Sequence, residues 1–161
     1  MSRRFPFLCV PQAVLQAALF AVLLACPALA AMQAEPVEFK GIPFGKEYEP
    51  DASFVCQLDS EEGLRCTRPS DELRLHGVPL KTLSYLFMYK RLFTVDMEVD
   101  GREAFDTLAA ELAKRHGKPV KTGGGMLSYV GKEVDILFYY DANRRTGEFS
   151  YVFKNLPCPV E

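Results

Sequence analysis

Histidine is scarce in this chain. Its two copies, His76 and His116, stand 40 positions apart. A zinc site gathers several His, Cys or carboxylate ligands at one point, so the inventory argues against a metal centre. An excess of either charge is missing as well. Lys and Arg number 19 and Asp and Glu 21, for a net charge of −2. That balance argues against the broad basic footprint of a nucleic-acid-binding domain. There is no Gly-x-Ser-x-Gly, the turn that exposes a hydrolase serine. The nearest approach to a phosphate loop fails twice. Gly125 and Gly131 enclose five residues where the motif has four, and Glu133 stands where a magnesium-binding Ser or Thr should follow Lys132. Internal repeats, heptads and low-complexity tracts are absent. The carboxylate pairs Glu61-Glu62 and Asp71-Glu72 lie in polar, turn-like segments and read as solvated charges. No catalytic, cofactor-binding or metal-binding residue is assigned, and the chain is read as a non-enzyme without a cofactor.

Long apolar runs are also lacking. A retained membrane helix needs about 20 apolar residues. Ala13 to Ala25 is shorter, contains Gln16, and is bracketed by Pro11 and Pro27. With Arg3-Arg4 before it and the small residues Ala28 and Ala30 after it, the segment 1–30 reads as a secretory signal cleaved after Ala30. Arg3-Arg4 is also a candidate twin-arginine start, against which Pro6 counts. An alternative lies in Leu23-Leu24-Ala25-Cys26, which resembles a bacterial lipobox and would make Cys26 a lipid anchor. The expectation is an exported bacterial protein of the periplasm with no membrane span after processing, or else a lipid-anchored envelope protein. Residues 31–36 read as a flexible leader, and 37–161 as a single domain.

Export implies an oxidising compartment. Cys56 and Cys66 flank Asp59-Ser60-Glu61-Glu62-Gly63, a strong turn signal, and a hairpin there would join them as a disulfide. Cys158 is left over, with its state open. Val37 to Phe44 reads as a short edge strand. Leu80–Tyr89 and Leu92–Val99 read as strands with a turn at Lys90-Arg91. Gly101 to His116 reads as a helix. Asp100 with Glu103 suggests a capping box, Phe105, Leu108, Ala109 and Leu112 form one stripe, and Gly117 and Pro119 stop it. Glu133–Tyr140 and Gly147–Lys154 complete a strand-strand-helix-strand-strand order. The expected fold is α+β, an antiparallel sheet of hairpins with one main helix across one face.

Leu80–Tyr89 is apolar on both faces, with Leu83, Tyr85, Phe87 and Tyr89 on one and Leu80, Leu86 and Met88 on the other. Hairpin parity decides which face is inside. With Lys90-Arg91 as a two-residue turn, Tyr85, Phe87 and Tyr89 point away from the helix and form an exposed platform for a partner. A three-residue turn reverses the faces and makes the ladder core.

Two pieces carry a resemblance. They are Phe39-Lys40-Gly41-Ile42-Pro43-Phe44-Gly45 and Leu112-Ala113-Lys114-Arg115-His116-Gly117-Lys118-Pro119. Together they resemble small bacterial periplasmic proteins with a Gly-Ile-Pro-Phe-Gly opening and a helix ending in Tyr-Gly-Lys-Pro, with His116 here in place of Tyr. More distantly, the chain is similar to the small outer-membrane assembly lipoproteins and β-lactamase-inhibitor proteins. The resemblance implies a helix-on-sheet binding or accessory module without a cofactor. The expected function is therefore a non-enzymatic envelope-accessory role exerted through a protein–protein surface on another envelope or secreted protein. The alternative is an inhibitor or immunity-type protein that blocks an enzyme or toxin.

Overall fold

The structure is a computed structural model that describes residues 32–61 and 63–156. The expected signal segment, Cys26 and Cys158 lie outside these residues. A two-strand hairpin comes first, β1 (Glu38–Phe39) and β2 (Ile42–Pro43). Then follow β3 (Val55–Ser60), β4 (Gly63–Thr67), the small pair β5 (Arg74–Leu75) and β6 (Val78–Pro79), β7 (Thr82–Met88) and β8 (Arg91–Asp100). Helix α1 (Gly101–His116) leads to β9 (Val120–Lys121), β10 (Leu127–Tyr129), β11 (Val134–Asp141) and β12 (Thr146–Phe153). Eight strands form one antiparallel sheet in the order β3-β4-β7-β8-β12-β11-β10-β9. With α1 on one face this is the expected α+β architecture.

Residues opposed in an antiparallel ladder share a face. Cys66, Tyr85, Val95, Tyr151, Ile136 and Tyr129 therefore form one row across the covered side, and all are buried. Two different elements cover it. Over β12 and β11, α1 lays down Phe105, Leu108 and Leu112, spaced as one helical stripe. Phe105 sits 5.3 Å from Phe149 and 6.1 Å from Phe138 between ring centres. Over β7 and β4 the cover is the segment before the sheet. Phe39 packs 6.2 Å from Tyr85 and 5.4 Å from Tyr151, while Phe54 packs 5.7 Å from Tyr85. Val37–Phe44 is therefore not an edge strand of the sheet. It folds back on itself at Lys40-Gly41, both at positive φ, and inserts Ile42 into the core.

The helix occupies the expected span, but Asp100 makes no side-chain cap bond. Asp100 still belongs to β8, and the change of direction falls on Gly101, whose φ of 77° suits glycine. Gly101 N–H donates to Arg145 O at 2.9 Å. At the other end, His116 turns inward from the helix. It is buried, and its Nδ1 donates to Ala34 O at 2.5 Å. Burial lowers its pKa, so the ring is held neutral.

The flexible leader is corrected by the same contacts. From Met32 the chain runs as a strap between α1 and the turn before β11. Met32 N–H donates to Val130 O, and Gln33 N–H to His116 O at 3.1 Å. The Glu35 carboxylate accepts the backbone N–H groups of Lys132 at 2.9 Å and of Glu133 and Val134 at 2.5 Å. Burial alone would raise the Glu35 pKa, but these three bonds outweigh it and hold the group below the usual carboxylate range.

Candidate functional site

The aromatic platform does not exist. Tyr85 and Phe87 are fully buried, and they face the covered side with Val95 and Leu92. The reason is one residue of register. The turn is Tyr89-Lys90 rather than Lys90-Arg91, with φ of 50° and 56°. Met88 therefore opposes Arg91. Moving a two-residue turn by one position leaves the faces as they were; the bulge at Phe93 reverses them, so that Tyr85 opposes Val95. Tyr89 leaves the ladder at the turn and is half-exposed.

Tyr85 ends at a polar latch. Its hydroxyl donates to the Asp71 carboxylate, whose other oxygen pairs with the Arg68 guanidinium at 2.7 Å. Arg68 also donates to Lys40 O at 3.1 Å and lies over the Phe54 ring. Burial first, and then the Asp71 bond, push the Tyr85 hydroxyl above the usual phenol range. Asp71 is thus no solvated charge, because its side chain is 8% exposed. A hollow of about 360 Å³ adjoins the latch, lined by Thr67, Arg68, Asp71, Leu73 and Leu83. The charges there answer one another, so the cluster closes the β4–β5 loop onto the sheet and offers no reactive group.

The open face of the sheet is likewise self-paired. Arg65 bridges Asp59 at 2.9 Å and Asp96 at 3.0 Å, and Ser150 donates to Asp96. Arg144 bridges Glu98 and Glu148, and Tyr139 donates to Glu148 at 2.6 Å. Around half-buried Leu86, Leu137 and Val152 this makes a solvated polar surface.

What remains is the sheet edge at β3. All six of its residues are exposed, including Val55 at 64% and Leu58 at 80%. No core packing holds this strand. It is held by its ladder to β4 and by the Cys56–Cys66 disulfide, which links directly opposed residues. Closing a loop of that length stabilises by about 3 kcal/mol in the chain-entropy model. The bond suits an oxidising compartment. Beside the strand, where the covering segment ends, runs a groove of about 270 Å³ lined by Pro50, Leu58, Leu64, Phe87, Tyr89 and Lys90. The opposite edge is different. β9 has two residues, ends in Lys121 and follows Lys118-Pro119. Short length, charged residues, Pro and bulges are the usual guards of an edge; β3 has Asp59 and a register shift only at its end, and Val55–Leu58 carries none of them.

The sequence pointed to the hairpin and its cysteines but not to its exposure. Val55-Cys56-Gln57-Leu58 reads like any half-buried strand. The chain matches no family model, no curated protein and no solved structure. Among the described residues, no helix is long and apolar enough to cross a membrane.

Proposed function

We propose that this is an exported, non-enzymatic binding protein of the bacterial envelope, and that it engages another envelope or secreted protein through the β3–β4 hairpin. The observation that carries the reading is the exposed β3 edge along Val55–Leu58, with exposed Leu58 and Leu64 flanking a groove. An unpaired edge with apolar side chains is a liability in a soluble protein unless something binds it. The disulfide keeps such a strand formed without a core beneath it. The helix-on-sheet frame agrees with the resemblance to accessory modules. Periplasmic location after removal of residues 1–30 belongs to the same proposal.

Photo-crosslinking in expressing cells tests this. A crosslinking residue at Leu58 should give discrete adducts. The same residue at Leu137 on the open face, or at Ala110 on the outer side of α1, should give none. Adducts at either control position without any at 58 would move the binding surface elsewhere.

A further inference from the structure

Resting on that reading, we infer that β3 receives its partner by strand addition, and that the partner supplies an extended basic segment with apolar side chains toward the groove. The backbone direction follows from one distance. Opposed Cα atoms in an antiparallel ladder are about 5.5 Å apart where they exchange hydrogen bonds and about 4.5 Å where they do not. Cys56 and Cys66 stand 4.0 Å apart. They form a non-bonded pair, and by the two-residue period so do Leu58 and Leu64. Val55 and Gln57 therefore bond to β4, while Cys56 and Leu58 turn their N–H and C=O groups outward. An added strand meets a donor and an acceptor at each of these residues, which is the ladder that strand addition uses. The register shift after Leu58 ends the regular edge, so the docked stretch runs along Val55 to Leu58.

Side chains select the partner. Leu58 shares the face of Leu64 and Phe87 and borders the groove, so the docked segment needs an apolar residue on that side. Charge sets the rest. Residues 47–66 carry Glu47, Glu49, Asp51, Asp59, Glu61 and Glu62 against the single base Arg65. Arg65 is taken by Asp59, and Lys90 reaches Glu49 at 3.7 Å. Among the described residues Glu47, Asp51 and Glu61 form no ion pair, and all are exposed. A second copy of this chain would bring the same acidic excess into one seam, so a basic segment is favoured over self-pairing.

The test uses the purified, disulfide-bonded chain and three synthetic fluorescent peptides followed by anisotropy. One alternates Val and Lys, one alternates Val and Glu, and one is the Val–Lys peptide with N-methyl groups along one backbone edge. The Val–Lys peptide should bind at least tenfold tighter than the other two and weaken as salt is raised. Leu58→Asp should lose at least tenfold while keeping the wild-type melting temperature, since its side chain is in solvent. Equal binding of the Val–Glu peptide would overturn the basic partner. Equal binding of the N-methylated peptide would overturn strand addition. Self-association abolished by Leu58→Asp would replace the partner with a second copy. Adducts at position 58 in cells together with failure of the Val–Lys peptide would leave the hairpin as the binding surface and remove only this mode.

Discussion

Phe87→Ala separates a buried ladder from an exposed platform by its size alone. Phe87 is 1% exposed. Its ring stacks on Tyr48 at 5.8 Å and 13°, meets Phe54 edge-on at 5.8 Å, and lies 6.4 Å from Tyr85. Truncating a buried Phe to Ala costs about 3–5 kcal/mol, depending on how far the surroundings collapse. Here the lid is Tyr48 and Phe54 on a segment without long regular structure, which can settle into part of the space. The cost should therefore fall near the lower end, about 3 kcal/mol. For a domain of this size that lowers the melting temperature by about 10–15 °C. Tyr89→Ala is the control: a half-exposed turn residue should cost within about 0.5 kcal/mol. Urea melts with unchanged slope would give both values. A Phe87→Ala midpoint equal to that of Tyr89→Ala would refute the register described above.

Other outcomes follow from the same geometry. Asp71→Ala should cost about 3 kcal/mol in urea melts, because it strands a mostly buried Arg68 charge and the Tyr85 hydroxyl. Asp100→Ala should change stability by less than about 0.5 kcal/mol, since no cap bond is lost; a loss of 1 kcal/mol or more would restore the capping box. Acid should weaken the strap. His116 and Glu35 both have folded pKa values below their unfolded ones, so the unfolded chain takes up protons first. Stability present at neutral pH then falls as pH drops below 6.5 for His116 and below 4.5 for Glu35. Urea midpoints measured against pH should show both declines, with the second reduced in Glu35→Gln.

The helix was legible because its apolar stripe and its Gly117-x-Pro119 stop agree, although the capping box read at Asp100 does not form. The disulfide was legible because a turn signal lies between its cysteines. The β7–β8 register was not. A two-residue turn with both φ positive normally announces itself by Asn or Gly, and here Tyr89 and Lys90 occupy it; nothing in Leu92-Phe93-Thr94 marks the bulge that reverses the faces. The strap was hidden for another reason. Glu35 finds its donors at 132–134, and only the closed sheet brings them near. Asp71 looked solvated beside Glu72 because it sits in a loop and its partner Tyr85 comes from β7, 14 residues on. The candidate site was hardest to read, since sequence patterning marks which residues can be buried and not which edge is left without a neighbour.

Residue-resolved amide hydrogen exchange on the disulfide-bonded chain, alone and with its crosslinked partner bound, tests the central claim most directly. In the free protein the Cys56 and Leu58 amides should exchange fast while those of Val55 and Gln57, bonded to β4, are protected. With the partner bound, Cys56 and Leu58 should become protected by at least tenfold. Protection of those two amides already in the free protein, or no change in them on binding, would contradict it.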